Sequence, residues 1–297
     1  MEPNQYLNKK VTIKQKQYQI QRYIGEGSHA TIWGVKAMFY PQDEVIVKVA
    51  KAATGITQER VQNEIWFLKE IVHPHIPQLL DHGYLDKCLW LAMPVFEQLN
   101  LTFSYKGKLV KVLVSDTRSD GYPKKADKIP IEHREKMAVA VLSDIGKVIA
   151  YIAGSGIIHA DISPGNIMEK RGSFITKQYV LTDWGAASLI HRYPEEAFGS
   201  LNFTAPERLK GQVGSKSDLF SLGVVVFYIL TGKVPYPGAF GEEYYLSAVG
   251  RDGACPSDYV TGLSSGLDKV IRDLIRFQPQ DRPEPDEVCR RIEKLRG

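Results

Sequence analysis

A carboxylate interrupts the apolar face of the first helix this sequence encodes. From about Thr57, Val61, Ile65 and Leu68 recur at i, i+4 and i+7, and Glu64 falls on the same stripe. Burying an unpaired carboxylate among apolar side chains costs several kcal/mol, so any fold of this chain must bring a cation to it. Lys48 answers that demand. It lies in the run Val45-Ile46-Val47-Lys48, alternates with Val47 and Val49, and shares a strand face with Ile46. A lysine on a strand is ordinarily a solvated edge residue, but here each member of the pair supplies the partner the other lacks. A strand and a helix must therefore pack with this charge pair between them.

The surrounding pattern gives an α+β chain in two parts. Tyr18 to Ile24, Thr31 to Ala37 and Val45 to Ala50 are short β-rich runs separated by glycines and a Pro41-Gln42-Asp43 turn, which predicts an antiparallel meander. Further strands are expected around Ile76 to Leu80 and Cys88 to Met93. Beyond them the chain is mainly helical. Ala138, Val141, Leu142, Ile145, Val148, Ile149 and Ile152 place a helix from Arg134 to Ala153, closed by Gly154 and Gly156. Asp218 to Leu230 is apolar nearly all round and is expected at the centre of its lobe. The expected division is a small sheet lobe over 1–93, a hinge at 94–96 and a larger helical lobe over 97–297. An insert at about 102–130 holds six Lys and one Arg against three Asp, which accounts for the chain's whole net charge of +4.

Composition narrows the function class. The longest apolar run, Leu222 to Leu230, falls well short of the about twenty residues a membrane span requires, and the first residues carry no secretory pattern. Cys88, Cys255 and Cys289 have neither disulfide-framework nor metal-ligand spacing. A soluble protein of the reducing cytoplasm is expected, with no membrane partner and, at so modest a charge, no nucleic-acid partner.

Three segments carry the chemistry. Gly25-Glu26-Gly27-Ser28-His29-Ala30-Thr31-Ile32 is a glycine-rich turn between two strands, where backbone N–H groups can approach phosphate oxygens, although an ordinary hairpin turn accounts for it equally well. His159-Ala160-Asp161-Ile162-Ser163-Pro164-Gly165-Asn166 follows the long helix, and Thr182-Asp183-Trp184-Gly185 follows another short strand. Asp161, Asn166 and Asp183 are the residue types that bind Mg²⁺ through oxygen and accept a nucleophile's proton. Taken alone, a loop Asp with Asn five residues on is also a turn or a helix cap.

In order as well as content, these segments resemble the protein kinase family, specifically the eukaryotic-like serine/threonine kinases, over nearly the whole chain. The resemblance implies a two-lobed fold with ATP and Mg²⁺ between the lobes. Gly25, Gly27 and Ile32 would cover the nucleotide. Lys48, braced by Glu64, would hold its α- and β-phosphates; Asp161 would be the catalytic base, and Asn166 and Asp183 the metal ligands. Ile46, gatekeeper Met93, the hinge Pro94-Val95-Phe96 and the floor residue Met168 would enclose adenine. Downstream, Thr204-Ala205-Pro206-Glu207 and Asp218-Leu219-Phe220-Ser221-Leu222-Gly223 resemble family motifs, and Arg282 resembles the arginine that pairs with Glu207. His159 and Trp184 would join Leu68 and Leu79 in an apolar column standing on Asp218.

Several positions depart from the family pattern. Ala30 stands for the third loop glycine. Ile46 replaces the usual alanine and narrows the adenine slot. Ala160 replaces the arginine before the catalytic aspartate, a non-RD loop, and so removes the partner of a phosphorylated activation segment. The segment from Asp183 to Glu207 has few acceptors, among them Ser188, Tyr193 and Ser200, and activity without its phosphorylation is expected. Ser163 replaces the lysine that approaches the transferred phosphate, so turnover is slow or a basic substrate residue compensates. Pro164 and Ser200 occupy slots that favour serine/threonine over tyrosine. Two other readings stay open here: a small-molecule phosphotransferase of the aminoglycoside/choline kinase type, which shares the 159–166 and 183–184 segments, and an ATP-binding scaffold without catalysis. The expected partners are a protein substrate and, at the basic insert, an acidic protein, with the chain itself a monomer.

Overall fold

Alternation of β-branched and aromatic residues with polar ones builds a six-stranded antiparallel sheet in the N-terminal part, seen in a computed structural model that describes residues 5–38, 44–105, 108–113, 129–170, 177–192, 201–236, 248 and 251–296. The strands are β1 (Lys10–Ile13), β2 (Lys16–Glu26), β3 (Ala30–Ala37), β4 (Glu44–Ala50), β5 (Asp81–Leu85) and β6 (Cys88–Pro94), in the order β1-β2-β3-β4-β6-β5. The two edges of the sheet are tied to each other, because Lys14 donates its backbone N–H to Asp81 at 2.8 Å and Lys9 pairs with Asp86. The sheet thus curls around Tyr6, Val11, Ile13, Ile20, Trp33, Val35, Val47 and Trp90. Tyr6 meets Trp33 edge-on at 5.5 Å between centroids.

The other face of the sheet receives α1 (Ile56–Glu70), which buries Val61, Glu64, Ile65, Phe67 and Leu68. Val45, Val47 and Val49 of β4 point into the curled core, while Ile46 and Lys48 are half-buried on the opposite face, as period-two alternation requires. By contact, residues 1–96 and 183–187 form one compact unit and 97–182 and 188–297 a second.

Two expectations change here. Residues 76–80 form no strand. Pro77 denies that stretch a ladder donor, and pairing with β6 begins only where the Leu80 N–H reaches the Ala92 carbonyl, after which β5 runs over Asp81–Leu85. β1 is an unexpected strand, although its buried Val11 and Ile13 alternate with exposed Lys10 and Thr12. The Pro41-Gln42-Asp43 turn lies outside the described residues.

The second unit begins around β7 (Phe96–Gln98), where the chain leaves the first, and continues with a two-stranded hairpin, β8 (Asn100–Tyr105) and β9 (Lys108–Leu113). The hairpin covers the start of the basic insert; residues 114–128 lie outside the description. Then follow α2 (Ile131–Ala153), β10 (Ile157–Ile158), β11 (Ile167–Lys170), β12 (Tyr179–Leu181), β13 (Ser188–Leu189), α3 (Ser215–Thr231), α4 (Ser265–Leu274) and α5 (Pro285–Arg296). β10 pairs with β13, and β11 lies between β7 and β12.

α3 is the buried axis of this unit: its residues from Ser217 to Leu230 are all buried. It packs on α2, α4 and α5. A Cβ on Gly223 would come within 2.8 Å of Leu274 Cβ and of Ile275 Cγ2, so glycine is what lets these backbones approach. At the N-terminal end of α3, Arg282 is 2 % exposed and bonds Glu207 through both terminal nitrogens at 2.7 and 2.8 Å. Its remaining donors go to the carbonyls of Arg276, Phe277 and Lys216, and Ser217 Oγ donates to Glu207 at 2.7 Å. The pair satisfies its hydrogen-bonding capacity inside the protein, so removing one partner strands a buried charge. Arg282→Met should therefore lower the unfolding free energy by about 3–5 kcal/mol, measured from the urea midpoint, and an unchanged midpoint would show that Glu207 is accommodated without the arginine.

Candidate active site

The charge pair demanded by the sequence is present. Lys48 Nζ on β4 donates to Glu64 Oε2 on α1 at 2.6 Å and to Asp183 Oδ1 at 2.7 Å. Glu64 is 1 % exposed and the side chain of Asp183 is 44 % exposed, so the lysine joins a buried carboxylate to an accessible one. Burial alone would push the Lys48 ammonium down, yet Asp183 and Glu64 together outweigh it and hold it well above the ordinary lysine range. Burial pushes the Glu64 carboxyl up, with Lys48 pulling against it.

Asp183 has φ 63, a left-handed conformation that a side chain normally avoids. It precedes the short helical turn Trp184–Ala186, which lies against α1. Arg60 Nη1 donates to the Gly185 carbonyl at 3.0 Å, and Asn63 Nδ2 donates to the carbonyls of Gly185 and Ala187 at 3.1 and 2.8 Å. Sequence reasoning missed Arg60 and Asn63. The signal was their spacing of three and four residues, which puts Arg60 on one helix face with Asn63 and Glu64.

The glycine turn joins β2 to β3, with Gly25 opposite Ile32 and Glu26 opposite Thr31. A Cβ at Gly25 or Gly27 would meet no protein atom within 4 Å, and neither residue has a positive φ, so nothing inside the protein requires glycine there. Ile32 pairs with Lys48 across β3 and β4, and Ile46 pairs with Met93 across β4 and β6. Ile32, Ile46, Pro94 and Phe96 are half-buried, whereas Met93 is buried.

In the second unit, Asp218 of α3 is 3 % exposed and accepts the backbone N–H groups of His159 at 2.7 Å and Ala160 at 3.0 Å. Burial pushes its carboxyl up, and these two bonds pull it back. His159 is fully buried. Its Nδ1 accepts the Asp161 N–H at 3.3 Å and its Nε2 lies 3.1 Å from the Thr182 carbonyl, an arrangement that fits the neutral ring with its proton on Nε2. Ala160 has φ 65, and its carbonyl accepts Arg208 Nη1 at 2.7 Å.

Asn166 completes this cluster. Its Nδ2 donates to the Asp161 carbonyl at 2.7 Å and to Asp161 Oδ2 at 2.9 Å. Its own carbonyl accepts both the N–H and the Oγ1 of Thr182, the residue before Asp183. With the amide nitrogen committed to Asp161, the amide oxygen faces away from that carboxylate. Met168 on β11 is half-buried and pairs with Val180. Ser163 is buried and Ser188 is half-buried in β13, while Tyr193 and Ser200 lie outside the described residues. The proposed site residues thus form two clusters, Lys48–Glu64–Asp183 and Asp161–Asn166.

Comparison with known proteins adds relatives to this geometry. The chain is 27 % identical over 274 residues to the serine/threonine-protein kinase PknJ of Mycobacterium tuberculosis, covering 89 % of this chain and 43 % of that protein. It is 26 % identical over 278 residues to PrkC of Bacillus subtilis, covering 91 % and 39 %, and 26 % identical over 297 residues to zyg-8 of Caenorhabditis elegans, covering 96 % and 34 %. The chain therefore spans less than half the length of these relatives. Residues 18–291 match the family described as the protein kinase domain, a stretch that takes in the glycine turn, both clusters and the Glu207–Arg282 bond; the chain belongs to that family.

Proposed function

We propose that this chain transfers the terminal phosphoryl group of ATP to serine and threonine hydroxyls of a protein substrate, with Mg²⁺, and without phosphorylation of the segment between Asp183 and Glu207. The observation that carries this reading is Lys48, held charged between a buried and an accessible carboxylate. A strand lysine needed only to neutralise Glu64 would not also be aimed at an exposed aspartate. In this reading Lys48 carries the α- and β-phosphates. Gly25 and Gly27, free of any internal packing demand, let backbone N–H groups approach phosphate. Ile32, Ile46, Met93, Pro94, Phe96 and Met168 supply apolar surface and hinge backbone for adenine.

The donor set fits Mg²⁺, which takes few protein ligands and keeps several waters. Asp183 offers an accessible carboxylate, and Asn166 an amide oxygen turned away from Asp161. When bound, the ion offsets the charge on the phosphate oxygens. Asp161 accepts the proton of the substrate hydroxyl. Its backbone is fixed by the neutral His159 ring and its carboxylate by Asn166, so little reorientation remains at the moment of transfer. The names of the relatives support a serine/threonine hydroxyl as acceptor, and the hairpin and basic insert at 102–130 would meet an acidic partner protein. Among the described residues no helix is long and apolar enough to cross a membrane.

Three outcomes are expected. Incubation with Mg-ATP and mixed acceptors yields phosphoserine and phosphothreonine, and Lys48→Met and Asp161→Asn each lower the rate by about 10²–10³ or more; phosphorylation of free sugars or amino alcohols instead would replace the protein-substrate reading. Phosphatase treatment of the purified protein leaves its turnover unchanged. The Lys48 ammonium resists deprotonation: because its folded pKa is raised, the stabilisation is complete below the unfolded value of about 10.4 and is lost only as pH rises through the higher folded value. Nitrogen NMR of the lysine side chains should show Lys48 still protonated at a pH where surface lysines have begun to titrate.

A further inference from the structure

We infer that Asn63, seconded by Arg60, is a positioning residue that latches the metal-binding aspartate to α1 before any nucleotide arrives. The inference rests on the reading of Asp183 as a metal ligand. Asp183 holds a left-handed backbone conformation, which persists in a non-glycine residue only where its surroundings enforce it. The helical turn that follows is too short to enforce it from within, since its N–H to carbonyl bond runs only from Ala187 to Trp184.

Lys48 on β4 holds the Asp183 side chain; the turn behind it is held by α1. The two N–H bonds of one amide nitrogen, Asn63 Nδ2, span carbonyls two residues apart, those of Gly185 and Ala187, and so fix the curvature of the turn. Arg60 adds a second donor at Gly185. The turn lies so close to the helix that a Cβ on Gly185 would sit 3.1 Å from the Arg60 carbonyl oxygen. All three bonds join groups the sequence itself supplies, and none requires a phosphate, a ligand or a change of charge. The latch is therefore set from the moment the unit folds.

Removing the Asn63 donors would strip the Ala187 carbonyl of its donor from α1, leave Gly185 held by Arg60 alone, and shift the balance between held and released turn by about tenfold to a hundredfold. Trp184 reports this directly, because it lies within the turn, is fully buried, and is one of only four tryptophans in the chain. In protein labelled with 5-fluorotryptophan, its fluorine resonance is assigned by Trp184→Phe. Wild type should give a single Trp184 line without nucleotide. Asn63→Ala and Asn63→Asp should give a second or broadened Trp184 line while the lines of Trp33 and Trp90 stay in place, and Mg-ATP should restore the first. In turnover, half-saturation by Mg²⁺ should rise about tenfold or more, with kcat at saturating Mg²⁺ falling by a smaller factor; a purely structural role would instead disturb all the tryptophan lines. Arg60→Met removes one bond of the three and should give the same pattern more weakly, which keeps the test alive if the Asn63 variants do not fold. A Trp184 line identical in wild type and variants, or already split in wild type, overturns the latch. If wild type transfers no phosphate, the functional reading fails while the spectra still decide the latch.

Discussion

The ammonium of Lys48 is the point on which the sheet unit is organised. A charge on a β-strand is tolerable inside a protein only if the opposing element is fixed well enough to present its counter-charge continuously. Here the strand is central, with β3 on one side and β6 on the other, so it cannot shift register without turning Val47 and Val49 out of the curled core and Lys48 into it. The edge strand β1 closes that core from behind. Its contribution to the chemistry is indirect but physical, because the register of β4 is only as firm as the apolar packing on the face that Lys48 does not use.

The second unit uses the same device at other places. Irregular backbone is held by charged side chains from helices and turns rather than by ladders of its own. Asp218 gathers the N–H groups of His159 and Ala160, Arg282 gathers carbonyls around Glu207, and Arg208 takes the carbonyl of Ala160. Ala160, left-handed without being glycine, is held by two of these anchors, and in the first unit the equally left-handed Asp183 is held by Lys48. Strained backbone next to proposed chemistry, with the strain over-determined by buried polar partners, is the pattern expected of a preorganised site.

What the sequence made legible follows from which signals are periodic. Glu64 could be read because the stripe around it is apolar, and Lys48 because alternation assigns its face. The axis α3 was visible as a segment without a polar side. β1 does not stand out, since two buried residues in four make too short a period, and 76–80 reads as a strand because its apolar residues outweigh the one proline, Pro77, that denies it a donor. Arg60 and Asn63 escaped for a different reason. A polar residue on a helix is solvated by default, and only the turn folded against that helix reveals that its donors are spoken for.

The departures from the family pattern then fall into one physical scheme. An arginine at position 160 would place a cation beside Asp161 and make the loop responsive to an incoming phosphate. With alanine there, the same stretch of backbone is held by a buried carboxylate beneath it and by a guanidinium that reaches in from position 208 to its carbonyl. On the other unit the segment after Asp183 is held by a neutral amide and an arginine that both bond backbone carbonyls. Carbonyl acceptors are present in every state of the chain, whereas a phosphate is present only in some. That difference is the physical content of the proposal that turnover does not wait on phosphorylation: among the described residues, the anchors on 160 and on 184–187 end on carbonyls and N–H groups, which a phosphate on a neighbouring hydroxyl would neither make nor break.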